Sequence, residues 1–95
     1  SVLAAKVTGP VLQTYRAAIA RGQLSAQERQ GLSLVTRRER EVLALIARGA
    51  TNAEIAREMV IADTTVKTHI SSLLSKLAAR DRVALVLLAQ KAGIA

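Results

Sequence analysis

The stretch TNAEIAREMVIADTTVKTH, Thr51–His69, decides the fold because it holds two helix signals with only a short turn between them. Thr51 and Glu54 have the spacing of a capping box, in which each side chain bonds the other residue's backbone amide. This start predicts a short helix over 52–59, and a turn at 60–63 leads into a second helix. Two helices joined in this way have the outline of a helix-turn-helix, although an ordinary small helical bundle permits the same spacing.

Similar helix signals lie on both sides of this stretch. Upstream, TRRE is another capping box, and the apolar residues of RREREVLALIAR predict a helix that ends at Gly49. Downstream, the second helix of the turn continues to about Ala78, and Asp81 can cap a last helix over about 82–92. The predicted fold class for 34–95 is therefore all-α, a four-helix domain with a central helix-turn-helix.

Residues 1–33 are predicted to be an N-terminal helical arm and linker that precede this domain. One apolar face predicts a helix over 11–21. Ser25 and Glu28 have the spacing of a capping box, but Gly31 and few apolar residues follow. We therefore expect at most a short turn in the linker.

The composition of the 95 residues narrows the classes of function. Cysteine is absent, and His69 is the single histidine, so we expect no disulfide, metal site, cofactor or catalytic residue. No apolar run approaches the roughly 18 residues that span a bilayer, and no signal peptide is recognisable. We therefore expect a cytoplasmic protein that is not an enzyme and has no membrane partner. His69 is expected to be a partly buried packing residue.

The helix predicted over 64–78 has two contrasting faces. Its apolar stripe is Val66, Ile70, Leu73 and Leu77, and the opposite face is Thr64, Thr68, Ser71 and Ser75, with Lys67 beside it. No acid occurs over 64–80, and 64–95 carries five basic residues against Asp81. Small hydroxylated side chains can approach base edges closely, whereas a carboxylate would repel phosphate. This face is therefore predicted to enter the major groove of duplex DNA.

At this level of detail the chain resembles a known family. The motifs TRREREVL, GATNAEIA, TVKTH and KLAARDR follow one another in register between Leu34 and Ala89. Together they resemble the C-terminal output domain of LuxR/FixJ/NarL-type bacterial transcription factors, which include two-component response regulators. The resemblance implies a DNA-binding, four-helix domain in which the second and third helices form the helix-turn-helix and the fourth dimerises.

The resemblance also implies roles for individual residues. Base reading is expected from Lys67, Thr68, Ser71 and Thr64. Phosphate contact or positioning is expected from Thr51, Asn52, Thr65, Lys76 and Arg82, although Arg82 could instead hold the fold. Ala62 occupies a position where the family commonly has Ser or Thr. Because alanine caps poorly, Asp63 or Thr64 could take over the cap of the recognition helix.

The last helix is apolar nearly all round from Val83 to Ala89, which indicates a second burial partner. Its outer face, predicted to form a homodimer on DNA, is Val83, Val86, Leu87 and Gln90. Deeper packing on the monomer or on the helix over 11–21 is the alternative for this face. The resemblance further implies an upstream regulatory domain that is missing from this chain. It also suggests RNA polymerase as a candidate partner.

A different class of function also fits this composition, namely a helical protein-interaction module that pairs through its last helix without reading DNA. The response to salt separates the two, because phosphate contacts weaken steeply as salt rises and apolar pairing does not. A sigma-factor-like helix-turn-helix is a near relative of the first interpretation, and the apolar last helix argues against it.

Overall fold

The computed structural model describes residues 24–94, and these form five α-helices. The helices are α1 (Ala26–Ser33), α2 (Arg37–Ala47), α3 (Asn52–Met59), α4 (Asp63–Lys76) and α5 (Arg82–Lys91). The predicted all-α class is confirmed, and α2 to α5 correspond to the four predicted helices. The helix predicted over 11–21 lies outside the described residues. None of the described helices is long and apolar enough to cross a membrane.

The core is built from aliphatic side chains of α2 to α5. Its fully buried members come from each of these helices and include Leu43, Ile46, Ile55, Leu73 and Leu85. Helix α2 packs against both α4 and α5, and α3 packs against α4. The predicted stripe of α4 faces this core, with Val66, Leu73 and Leu77 buried and Ile70 half-buried. One face of α4 is thereby committed to the interior, which leaves the other at the surface.

The starts of the helices agree with the capping signals in the sequence. Thr36 and Thr51 each complete a capping box with the glutamate three residues later. Asp81 accepts a hydrogen bond from the Ala84 amide at 2.9 Å and so caps α5. These side chains satisfy backbone amides that have no partner inside the helix.

The ends of α2 to α5 share one device, a left-handed residue followed by an amide that bonds back across five residues. The left-handed residues are Gly49, Val60, Ala78 and Gly93, with φ of 88°, 55°, 51° and 75°. The following amides bond back at 2.8–3.1 Å, as in Ile61 N–H to the Ala56 carbonyl. Gly49 was expected from the sequence as a helix end, and glycine adopts this conformation without steric cost. Left-handed alanine and β-branched valine are unusual, and composition gives no signal for them.

The prediction of at most a short turn in the linker is wrong, because residues 26–33 form α1. Ser25 and Glu28 make a complete capping box at its start. Gly31 is buried where α1 meets the C-terminal end of α4. Glu28 also forms an ion pair with Lys91 of α5 at 3.0 Å. Gly31 therefore serves close helix packing, which is a reason for glycine inside a helix that composition alone does not reveal.

Replacing Gly31 by alanine should destabilise the protein by about 1–2 kcal/mol. An added Cβ would lie 2.6 Å from the Lys76 carbonyl oxygen. Because the clash is with a backbone atom, we expect a cost in the upper part of the about 1–3 kcal/mol that overpacking typically brings. The gain of about 1 kcal/mol in helix propensity of alanine over glycine offsets only part of this cost. Urea denaturation measures the change. Gln30→Ala, at an exposed site of the same helix, is the control and should change stability by less than about 0.5 kcal/mol. Equal stability of Gly31→Ala and the parent would contradict the close contact.

Candidate nucleic-acid interface

Helix α4 presents the predicted groove-facing side chains together on its outer face. Thr64, Lys67, Thr68 and Ser71 are all exposed, as is Thr65. Lys67, Thr68 and Ser71 also line an open depression of about 570 Å³, together with Ser72, Ser75 and Lys76. The structure therefore brings the proposed base-reading residues to one surface whose lining residues include no carboxylate.

The Thr68 hydroxyl already has a partner for its proton. Its Oγ1 donates to the Thr64 carbonyl one turn earlier, at 3.0 Å. A bond of this kind is common for threonine inside a helix. The Thr68 oxygen can still accept a hydrogen bond, and its methyl group remains available for apolar contact.

The start of α4 differs from both alternatives that the sequence left open. Ala62 remains the N-cap residue, with extended φ and ψ of −72° and 153°, and no side chain caps the helix. Neither Asp63 nor Thr64 takes over the cap. Asp63 is the first residue of the helix, where its negative charge is favourably placed in the field of the helix N-terminus. Thr64 consequently lies in the first turn of α4, at the surface.

The face of α2 that carries Arg37, Arg38 and Arg40 is exposed, but one of the acids that alternate with these arginines turns inward. Glu41 pairs with Arg38 at 2.9 Å and with Arg37 at 4.0 Å. Glu39, in contrast, is only 5 % exposed.

Glu39 joins the start of α2 to the second half of α4. Its Oε1 accepts from the Thr36 amide at 2.9 Å and from Lys76 Nζ at 2.7 Å. Its Oε2 accepts from the Ser72 hydroxyl at 2.5 Å. The sequence carried a signal for this arrangement, because Glu39 has helical spacing with the buried residues Val42, Leu43 and Ile46. The three hydrogen bonds compensate the carboxylate for the water that it loses on burial.

The pKa of Glu39 reflects two opposed effects. Burial raises it, whereas the hydrogen bonds from Lys76, Ser72 and the Thr36 amide and the positive charge of Lys76 lower it. The balance lowers the pKa of Glu39 from its ordinary 4.5 to about 2. The carboxylate therefore stays ionised at neutral pH despite its burial.

The Arg82 side chain forms hydrogen bonds inside the domain, which supports the structural one of the two roles that the sequence left open. Its Nη1 donates to Asn52 Oδ1 at 2.6 Å and its Nη2 donates to the Ala50 carbonyl at 2.5 Å. These bonds fasten the start of α5 to the segment that leads into α3. Asn52 is thus engaged inside the protein, while Thr51 caps α3.

Helix α5 divides into a buried side and an outer side. Leu85, Leu88 and Ala89 are buried in the core. Val83 and Leu87, one turn apart, are 65 % and 60 % exposed. Between 24 and 94 no side chain covers this pair, and Val86 and Gln90 continue the same face as half-buried and exposed residues. The apolar excess predicted for this helix therefore lies at the surface.

His69 is half-buried on the side of α4 next to the core stripe, as expected for a packing residue. Among residues 24–94, no group of three or more His, Cys, Asp or Glu side chains could hold a metal ion.

Comparison with known proteins assigns the domain. The family model described as bacterial regulatory proteins, luxR family, matches residues 33–89. The chain belongs to the luxR family of bacterial regulatory proteins. The resemblance seen in the four sequence motifs is thereby confirmed, and so is the predicted class of the domain, a DNA-binding helix-turn-helix of transcriptional regulators.

Individual relatives of this luxR-family chain agree with the assignment. It is 44 % identical over 80 residues to transcriptional regulatory protein LiaR of Bacillus subtilis, which covers 84 % of the chain and 35 % of LiaR. It is 47 % identical over 64 residues to YhcZ of B. subtilis, an uncharacterized transcriptional regulatory protein, which covers 67 % and 30 %. Response regulator protein VraR of Staphylococcus aureus is 50 % identical over 56 residues, 59 % of the chain and 27 % of VraR. The chain thus matches about a third of the length of these relatives.

Acid should reveal the contribution of Glu39 to stability. Because its pKa is lower in the folded state, its stabilising effect is complete above the ordinary value near 4.5 and is lost as pH falls towards about 2. Between pH 5 and pH 2 the parent should lose on the order of 3 kcal/mol more unfolding free energy than Glu39→Gln.

Denaturant titrations across this pH range measure the difference. The core variant Ile46→Val, which lowers stability without touching the carboxylate, should follow the parent's pH profile. Parallel profiles for the parent and Glu39→Gln would contradict the interpretation.

Proposed function

We propose that this domain binds duplex DNA in a sequence-specific manner with α4 in the major groove. The observation that carries the proposal is the exposed, carboxylate-free face formed by Thr64, Lys67, Thr68 and Ser71, opposite the buried stripe of the same helix. A helix fits the major groove, and the first turns of a recognition helix are the part that meets base edges. The luxR-family membership supports the same mode.

The chemistry of each side chain suggests its part in reading. Lys67 is a cation that can donate to guanine O6 or N7 or to a phosphate. The Thr68 hydroxyl already donates a hydrogen bond to the Thr64 carbonyl. Thr68 would therefore accept a hydrogen bond from an exocyclic amine or place its methyl group against a thymine methyl. Ser71 can donate or accept. Thr64 and Thr65, at the start of α4, lie where either base edges or phosphates come within reach.

Phosphate positioning is proposed for the beginning of α3. Thr51 and Asn52 lie at the N-terminus of this helix, where the helix dipole favours an anion. Arg82 would contribute to phosphate positioning only indirectly, because its guanidinium donates hydrogen bonds to Asn52 and to the Ala50 carbonyl and so holds the start of α3.

Two copies of the domain are proposed to bind side by side through α5. Val83, Val86, Leu87 and Gln90 are spaced three, one and three residues apart, which places them on one helix face. Burying Val83 and Leu87 against a two-fold mate would remove from water the apolar surface that the single domain leaves exposed. A dimer of this kind reads two half-sites about 10 bp apart.

The rest of the regulator is proposed from its relatives. VraR is a response regulator, and LiaR and YhcZ are transcriptional regulatory proteins much longer than the matched segment. We place an upstream receiver-type domain before this one, with RNA polymerase as a further partner and the cytoplasm as the site of action. Within the chain, the DNA-binding unit proposed for 34–95 extends back to include α1, because Glu28 and Gly31 contact α5 and α4.

A carboxylate introduced on the outer face of α4 should strongly weaken duplex binding. Lys67→Glu and Thr68→Glu each put a carboxylate where phosphates and base edges approach, and we expect a loss of about 100-fold or more in affinity. The experiment selects a duplex from a random library, footprints it with the parent and then measures each variant by mobility shift.

Arg37→Glu is the matched control for Lys67→Glu, because it makes the same charge change on α2 at a side chain that is 94 % exposed. It should bind within a few-fold of the parent. A Thr68→Glu or Lys67→Glu protein that binds as tightly as the parent would refute the groove assignment.

A substitution on the outer face of α5 should impair the pairing of two domains without impairing DNA recognition by each domain. Leu87→Lys should leave binding to a single half-site nearly unchanged and remove cooperative binding of a second copy on a two-half-site duplex. Leu34→Lys is the control, since Leu34 is 58 % exposed outside α5. Gel mobility on duplexes with one or two half-sites gives the stoichiometry. Unchanged cooperativity in Leu87→Lys would contradict pairing through this face.

The same exposed face of α5 favours the second candidate function, a pairing module that does not read DNA. That function would give self-association that is insensitive to salt and no enrichment of any duplex, whereas DNA binding weakens steeply as salt rises.

A further inference from the structure

We propose that Glu39 is a positioning residue for DNA recognition, which sets the rotation of α4 about its own axis through Ser72 and Lys76. The inference rests on the proposed function and assigns a part in specificity to a side chain that lies on another helix and reaches no surface. It also changes the role of Lys76 from a phosphate contact to one arm of this internal link.

The geometry couples one carboxylate to two successive turns of α4. Ser72 and Lys76 are four residues apart, so they lie above one another on the same side of the helix. Glu39 accepts from both, at 2.5 Å and 2.7 Å, while its Oε1 also accepts from the Thr36 amide at the start of α2. The hydrogen bond from the Thr36 amide holds the carboxylate in place at the start of α2. Ser72 and Lys76 of α4 therefore bond to a group whose position is already fixed.

Apolar packing decides which face of α4 is buried, but it restrains small rotations of the helix less sharply than hydrogen bonds do. Val66 and Leu73 are buried and hold α4 against the core, yet the hydrophobic effect itself is non-directional. Hydrogen bonds do have one, and they weaken steeply when their angles change. Side-chain tips lie roughly 5–6 Å from a helix axis, so a rotation of about 20° would move them by about 2 Å. A shift of that size breaks a hydrogen bond to a base edge.

The proposed base-reading residues and the residues bonded to Glu39 lie side by side on α4. Ser72 follows Ser71 directly, and Lys76 follows Ser72 by one turn. Ser72 and Lys76 also border the depression that Lys67, Thr68 and Ser71 line. Any change in how Glu39 holds the helix therefore reaches the reading face without a change in the reading residues themselves.

The positive charge of Lys76 is largely neutralised by Glu39 inside the protein. Its side chain is 28 % exposed and its Nζ lies 2.7 Å from a carboxylate that is itself buried. An ion pair of net charge zero attracts a phosphate weakly. The positive charge available to DNA on the outer face of α4 is then chiefly that of Lys67.

The test compares specific with non-specific affinity, because a positioning residue and a phosphate contact affect them differently. Affinity is measured for two duplexes of equal length, one with the selected site and one with a scrambled sequence, at several salt concentrations. Glu39→Gln should lose about tenfold in affinity for the selected site and keep or gain affinity for the scrambled one, because the charge of Lys76 is then no longer neutralised. The salt dependence should not become shallower. Lys67→Met, in contrast, should make it shallower by up to about 0.9 in the slope of log affinity against log salt.

A second pair of variants leaves the ion pair intact and keeps the test valid if Glu39→Gln folds poorly. Ser72→Ala removes one hydroxyl from the link and Ser72→Thr restores a hydroxyl. Loss of discrimination in the alanine variant with recovery in the threonine variant supports the proposal. Equal discrimination in the parent and Ser72→Ala would overturn it.

The core variant Ile46→Val separates positioning from a general loss of stability. Circular dichroism first establishes that each variant is folded at the assay temperature. If Glu39→Gln loses both affinities in the same proportion, or discriminates as well as the parent, the positioning role is wrong and DNA binding remains. If the parent itself does not distinguish the two duplexes, the proposed function fails and takes the inference with it.

Discussion

The buried carboxylate of Glu39 is the constraint around which the domain is arranged. It is the one charged residue classed as buried among residues 24–94, and it bonds to α2 and α4 together. A buried charge without partners would cost several kcal/mol, so the carboxylate, its capping role and the position of α4 depend on one another. The apolar core supplies most of the driving force for folding, and this network adds directional hydrogen bonds between α2 and α4.

The elements whose signals are local could be predicted from the sequence. Thr36, Thr51 and Asp81 begin helices with cap spacing that is legible in a few residues, and Gly49 ends one. Helix α1 was missed because it is stabilised by contacts distant in sequence, such as Glu28 with Lys91, and because a glycine such as Gly31 can mark either a helix break or a close packing contact. Rules of local propensity cannot distinguish those two uses of glycine.

The candidate site shows the same division between local and distant information. The exposed face of α4 follows from helical periodicity, and all its predicted base-reading residues lie at the surface. The donors on α4 that bond Glu39 and the acceptors that bond Arg82 do not follow from periodicity, because they lie 30 or more residues away along the chain. The spacing of Glu39 with Val42, Leu43 and Ile46 pointed to its burial, but only the structure shows which donors compensate it.

The modest chemistry of the α4 face is a reason to propose that the exposed face of α5 belongs to the same mechanism. Each well-placed base contact contributes about 1–3 kcal/mol of discrimination, and Lys67, Thr68 and Ser71 can make only a few. One domain would therefore discriminate weakly among the many competing sites of a genome. Linking two domains makes the second binding event intramolecular and multiplies the discrimination of the two half-sites. A small, hydroxylated reading face therefore favours a partner, and Val83 and Leu87, which are exposed among residues 24–94, form the surface proposed to hold a second copy.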